Sequence, residues 1–402
     1  MGCVIHHGDL FDVLPSLPVE SIDACVTDPP YDLTANKKGG SGAASLNLNS
    51  PAGRSRIGTG GGFMGMKWDG EGVAFKVETW QAVRRVLKPG AYLLAFGGTR
   101  TYHRMAIAIE DAGFEIRDSM AWLYGSGFPK NHDLGDGKGT ALKPAFEPIV
   151  VAWRPFKGTI QACHQQHGTA ALNIDACRIA VGDEDYARNA SGDRGHENDR
   201  KRQSEFALTA GKASDIGRWP ANVVLDDLAA EMLDAQTGEL VSGANPTRRS
   251  SDKFRDTYGA FKGQEECDAA RGLDIGGASR FYYVAKPSRE ERDMGCHDLA
   301  PRRRDDSRKE GNPGGDNPRN RGLQPRGNFH PTVKPVDLMR WLVRLVTPVG
   351  GKVLDPFGGS GTTAMACAYE QRDFEIIERE AEYVELIRRR VASVAPLFTE
   401  LA

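Results

Sequence analysis

The chain has 402 residues, 40% of them apolar and 26% charged, with a formal net charge of -2. That is enough chain for a full α/β domain with a sizeable core plus a second module. It excludes a membrane-spanning protein, since no apolar run approaches the ~20 residues a helical span needs.

The first residues, Met1-Gly2-Cys3-Val4, lead straight into folded-type sequence with no charged and apolar leader. Seven scattered cysteines, an odd number, fit a reducing cytoplasm better than a disulfide framework. Cys3–His6 reads as a first strand running into Gly8-Asp9, and Phe11–Leu14 as a short helix for which Asp9 is a candidate cap. Ile22–Thr27 reads as a buried strand ending in the stiff turn Asp28-Pro29-Pro30-Tyr31. The two prolines lack N–H groups, so the nearby carbonyls stand as acceptors between a carboxylate and an aromatic ring. Such a turn suits a planar base with an exocyclic amino group, and equally an ordinary strand-to-loop corner.

Residues 32–66 are rich in Gly, Ser and Asn and have no periodicity. Phe75–Leu87 follows as an amphipathic helix, Ala91–Phe96 as a buried strand, Tyr102–Ala112 as a helix closed by Gly113, and Phe114–Trp122 as a strand. The loop Gly125–Lys130 presents Phe128 and Lys130, and Glu147–Trp153 reads as the last strand of this half. Between 155 and 325 short apolar runs are broken by Gly, Asn and charges; Trp219–Leu225 and Ser279–Ala285 stand out as apolar islands that read as strands. Cys163, His164, His167 and Cys177 match no standard two-plus-two zinc spacing, so no metal is expected. Arg302, Arg303 and Arg304 open a basic stretch that reaches Arg326 and reads either as a solvated linker or as an arm contacting phosphates.

Near the C-terminus, Lys352–Phe357 reads as a strand, Gly358-Gly359-Ser360-Gly361-Thr362-Thr363 as a glycine turn, and Ala364–Tyr369 as a helix. Glycines let the backbone approach a ligand, and a helix N-terminus offers N–H groups to it, so a nucleotide-like cofactor is implied. Phe374–Ile377 is the next strand, ending at Glu378, whose carboxylate is placed to accept both hydroxyl hydrogens of a ribose. Gly359-x-Gly361-x-x-Ala364 also fits a dinucleotide fingerprint, which keeps a nicotinamide oxidoreductase as a rival. Against that rival, only Arg379–Ala402 follow Glu378, too short for a second mononucleotide half, so the remaining strands must come from upstream.

Taken together, Asp28-Pro29-Pro30-Tyr31, His7-Gly8-Asp9-Leu10, Leu87–Phe96, Gly125–Lys130, His330-Pro331-Thr332-Val333-Lys334-Pro335 and the glycine turn resemble the S-adenosylmethionine-dependent amino-methyltransferases of DNA. The order, with the catalytic block first and the cofactor loop last, is that of their permuted β class. The likeness covers about residues 1–155 and 326–402. It implies an α/β fold with a Rossmann-like, doubly wound, seven-stranded and mostly parallel sheet. Residues 1–155 would form the catalytic half with a flexible lid at 32–66, 156–325 a target-recognition insert, and 326–402 the cofactor-binding half.

The resemblance further implies S-adenosylmethionine held by Asp9, Leu10, His330, Thr332, Lys334, Asp355, Phe357, Gly358, Gly359, Ser360, Gly361, Thr362, Thr363 and Glu378. Asp28 and the Pro29 carbonyl would accept the two hydrogens of an amino group, Pro30 would fix the loop and Tyr31 would stack on a base flipped from duplex DNA. Phe128, Lys130 and Arg302–Arg304 are the expected DNA contacts, Phe128 also being a candidate for core filling. In the family, Asp at the first motif position points to adenine N6 and Ser to cytosine N4, so Asp28 favours adenine. A bacterial or phage origin is expected. A homodimer, a cognate restriction endonuclease, cytosine-N4 specificity and a DNA-binding role without catalysis stay open.

Overall fold

The computed structural model describes residues 2–32, 72–127, 133–180, 217–242, 247–249, 264–266, 274–285, 289–299 and 327–395. The expected lid beyond Asp32, the loop residues Phe128 and Lys130, and Arg302, Arg303 and Arg304 lie outside the described residues. The chain divides into two compact units: Met1–Leu123, Gly127–Asn173 and Ala285–Ala402 form one, Tyr124–Ser126 and Ile174–Val284 the other.

In the first unit, β1 (Cys3–His7) leads into α1 (Leu10–Val13), and β2 (Ile22–Thr27) is buried along its whole length. α2 (Val77–Val86) is shorter than the apolar pattern suggests, because Val73–Phe75 forms a 3-10 turn before it and Leu87 turns extended after it. Pro89 cannot continue a helix, and β3 (Leu87–Phe96) accordingly starts ahead of Ala91. There follow α3 (Tyr102–Asp111), β4 (Glu115–Leu123), β5 (Phe146–Trp153) and α4 (Ile160–His167). The C-terminal part adds α5 (Val336–Val346), β6 (Lys352–Asp355), α6 (Thr362–Tyr369), β7 (Asp373–Glu378) and α7 (Ala381–Val394).

Within the first unit the strand order is β1-β7-β6-β2-β3-β5-β4. β1, β7, β6, β2 and β3 are parallel, while β5 runs antiparallel to both β3 and β4. This is an α/β fold with a mostly parallel, doubly wound sheet. Alternation along a strand sends neighbouring side chains to opposite faces. Leu93 and Ala95 of β3 thus join Trp80, Val83, Met105 and Ile109 of α2 and α3 in one core, and α5 packs on β2 and β3. Burial on both faces explains why these strands read as continuous apolar runs. Trp80 is fully buried and its Nε1 donates to the Ala74 carbonyl at 2.9 Å; truncation to Ala would cost about 3–5 kcal/mol through the cavity left behind.

The topology sets the site. In an open parallel sheet, ligands gather at the carboxyl ends of the strands, and an acidic residue follows or ends each of four adjacent strands: Asp9 after β1, Glu378 on β7, Asp355 on β6 and Asp28 after β2.

In the second unit, the island Trp219–Leu225 becomes a strand only over Val223–Asp226, and the island Ser279–Ala285 opens as a 3-10 turn, Ala278–Phe281, before the strand Tyr283–Ala285. Arg218 bridges to Ile179, which takes the first residues of the former island out of the strand. Asp226 caps the helix Asp227–Thr237 by accepting from Ala229 N at 2.6 Å, and Asp234 accepts from both the N–H and the hydroxyl of Ser279.

Candidate active site

Asp28, Tyr31, Glu147 and Lys334 form one connected group at the end of β2. The Lys334 ammonium donates to Asp28 Oδ2 at 2.5 Å and to the Tyr31 hydroxyl at 3.1 Å, and lies 3.3 Å from Glu147 Oε2. The Tyr31 hydroxyl in turn donates to Glu147 Oε2 at 2.7 Å. Lys334 also sits over the rings of Phe96 and Tyr31, at 4.8 and 5.3 Å from their centroids. Burial pulls the ammonium's pKa down, but Asp28 and Glu147 outweigh it and the net shift is upward, so Lys334 stays charged. Burial, with the same two carboxylates, holds the Tyr31 phenol well above its ordinary pKa. Thr101 anchors the turn by donating to the Tyr31 carbonyl at 2.9 Å.

Asp28 Oδ1 is buried and accepts no hydrogen bond from the described residues. A buried carboxylate oxygen without a donor is costly unless a ligand supplies one.

The glycine turn lies on the neighbouring strand end. Asp355 accepts from the hydroxyls of Thr27 and Thr363, both at 2.6 Å, and from Phe357 N at 3.0 Å, tying the ends of β2 and β6 to the start of α6. Burial raises its pKa to about 6 against the effect of these donors. Glu378 accepts from Gly359 N at 2.7 Å and from Glu380 N at 2.8 Å, and burial lifts its pKa to about 7. Gly359 has φ +50, and a Cβ there would stand 3.1 Å from His330 Nε2. Among the described residues no side chain caps the N-terminus of α6 at Gly361.

The expected site residues thus fall into groups. Glu378, Gly358, Gly359, Ser360 and Gly361 line the turn, with the His330 ring beside Gly359 and resting edge-on against Tyr383 at 4.7 Å. Asp9 also lies at this end; its carboxylate caps α1 through Phe11 N at 2.9 Å. Leu10 is buried in the apolar core. The hydroxyl of Thr363 is engaged by Asp355, that of Thr362 meets Ser360 Oγ at 3.0 Å, and the Thr332 carbonyl meets His330 Nδ1. Lys334, grouped by resemblance with the cofactor loop, sits against Asp28.

Two residues went unseen in the sequence. Glu147 lies at the start of β5, which runs opposite to its neighbours and so brings its first residues to the same sheet edge as the ends of β2 and β3. Arg390 on α7 is fully buried, with its pKa lowered to about 10 by burial, and donates to the Ser360 carbonyl and to Thr362 Oγ1 beneath the turn. Their signals, a lone Glu on a strand and an Arg in a polar helix, are too common to pick out. Among the described residues no group of three His, Cys, Asp or Glu side chains could hold a metal ion, and no helix is long and apolar enough to cross a membrane.

The arrangement fits S-adenosylmethionine. A Cβ at Gly359 would crowd the His330 ring, the N-terminus of α6 suits polar ligand atoms, the Glu378 carboxylate suits vicinal hydroxyls, and Asp28 Oδ1 is an unmet acceptor among the described residues.

The N6-N4 methyltransferase family model, described as DNA methylase, matches residues 22–389. The chain belongs to this DNA methylase family. The matched region runs from β2 into α7 and takes in the Asp28 group and the glycine turn. The chain is similar to the Type II methyltransferase M2.MboI of Moraxella bovis, 40% identical over 68 residues that make up 17% of this chain and 25% of that protein. It is also similar to M.BglI of Bacillus subtilis, 44% identical over 66 residues, 16% of this chain and 19% of that protein. The chain therefore matches a quarter or less of the length of these relatives. Among solved structures, the cytosine-N4-specific PvuII DNA methyltransferase aligns over 97% of this chain and 86% of that one, at 15% identity and a TM-score of 0.45. The protein TTHA0409 of Thermus thermophilus aligns over 98% of this chain and 96% of that one, at 16% identity and a TM-score of 0.41.

Proposed function

We propose that this methylase transfers a methyl group from S-adenosylmethionine to the N6 amino group of an adenine flipped out of duplex DNA. The observation that carries the reading is Asp28, held at one carboxylate oxygen by Lys334 and left with the other buried and unpartnered among the described residues.

An adenine amino nitrogen shares its lone pair with the ring and is a weak nucleophile. Accepting its hydrogens with Asp28 Oδ1 and the Pro29 carbonyl localises that pair and favours the positive charge that grows on nitrogen during transfer. When bound, S-adenosylmethionine would supply an electrophilic methyl, so that the nitrogen pair would form the new N–C bond and the C–S pair would stay on sulfur. One amino proton must then leave, and in this reading Asp28 Oδ1, which already accepts it as a hydrogen bond, takes it. Lys334 keeps Asp28 ionised and oriented, Pro30 fixes the turn, and the Tyr31 ring stacks on the base. Glu378 and the glycine turn hold the cofactor. The Asp in place of Ser at position 28 supports adenine over cytosine N4.

The test is Asp28→Ala assayed with tritiated S-adenosylmethionine and unmethylated genomic DNA. Methyl transfer is expected to vanish while S-adenosylmethionine binding is kept. Undiminished turnover would exclude Asp28 as the amino-group acceptor.

A further inference from the structure

We propose that Glu147 is a positioning residue for methyl transfer: it seats the Lys334 ammonium and the Tyr31 hydroxyl together, so that Lys334 occupies Asp28 Oδ2 and only Oδ1 is left for the substrate amino group. This rests on the reading of Asp28 given above.

An ammonium has three hydrogens, and Lys334 meets three acceptors: Asp28 Oδ2, the Tyr31 hydroxyl oxygen and Glu147 Oε2. Two of the three depend on Glu147, which takes part itself and accepts the Tyr31 proton, leaving that hydroxyl's oxygen free to face Lys334. Without Glu147 the ammonium would keep one carboxylate and the Phe96 and Tyr31 rings, and would lose the second carboxylate that holds it toward a single oxygen of Asp28. Charge argues the same way. With Glu147 the group carries one cation against two carboxylates, a net negative charge beside a nitrogen that becomes positive during transfer; without it the group is neutral and that contribution is lost. The titratable groups facing Lys334 are Asp28, Tyr31 and Glu147, with the Phe96 ring over it. Glu147 is one of the two groups that raise the Lys334 pKa.

The experiment compares the full-length protein with Glu147→Gln and Glu147→Asp, using tritiated S-adenosylmethionine and unmethylated genomic DNA across a pH series. Gln keeps the shape and removes the charge; Asp keeps the charge and withdraws the carboxylate by one methylene. In both, kcat is expected to fall, by about a hundredfold for Gln and less for Asp, with S-adenosylmethionine affinity, the KM for DNA and Tm close to wild type. In the Gln variant the alkaline limb of the rate profile is expected to move to lower pH, because Lys334 loses one of its two carboxylates. Wild-type kcat in either variant overturns the inference, as does a loss that only follows a lower Tm with both substrates bound more weakly. Should Gln not fold, the Asp variant reads the same split. A wild-type protein that binds S-adenosylmethionine but methylates no DNA overturns the function itself, a separate result.

Discussion

Lys334 meets Asp28 across 306 residues of sequence, with Nζ 2.5 Å from Oδ2. The contact joins the two halves of the fold that strand order brings side by side, and it decides which Asp28 oxygen is free. Because Lys334 is only 8% exposed, its charge is tolerable there only while carboxylates face it.

Lys334→Met should therefore cost stability as well as activity. Asp28 and Glu147 would be left facing each other without a cation, a loss of about 2–3 kcal/mol, toward the low end for a broken buried pair because both carboxylates keep some solvent. Urea unfolding at neutral pH measures it; an unchanged midpoint would show that the pair is not retained by the fold.

Asp355→Asn tests the fold's contribution to the cofactor cradle. The carboxylate accepts from Thr27, Thr363 and Phe357 N, and an amide can accept through one oxygen only. Stability should drop by about 1–3 kcal/mol from the unmet donors, and S-adenosylmethionine should bind more weakly because the start of α6 loosens. Calorimetric titration checks the second point, and wild-type affinity would contradict it.

On the proposed function, Glu378 is expected to make cofactor binding pH-dependent. Burial raises its pKa from 4.5 to about 7, so between those values the folded protein holds a proton that the unfolded chain has released. Its contribution to stability is therefore greatest at low pH and is lost as pH rises through about 7. Ribose hydroxyls donate best to the ionised carboxylate, so affinity for S-adenosylmethionine should rise from about pH 6 to 8, with proton uptake by buffer on binding. Titration in buffers of different ionisation enthalpy measures that proton; none released at about pH 6.5 would remove Glu378 from the ribose role.

Much of this site was legible in sequence because its parts are local: a buried strand ending in Asp28-Pro29-Pro30-Tyr31, and a strand, glycine turn and helix ending with Glu378 on the next strand. Each is a short segment whose apolar pattern, prolines and glycines point to one geometry. What stayed hidden is long-range. Glu147 reaches the site because β5 runs antiparallel to its neighbours, an orientation that its apolar run does not encode. Asp355 reads as a ligand to the cofactor, yet its side chain is committed to Thr27, Thr363 and Phe357, since only packing reveals how many donors converge on it. Arg390, in a segment to which the sequence alone assigns no role, is fully buried under the turn it supports.

The most direct test of the central claim is mass spectrometry of nucleosides from unmethylated DNA incubated with the protein and S-adenosylmethionine. N6-methyladenine is the predicted product; N4-methylcytosine in its place would contradict the assignment that Asp28 supports.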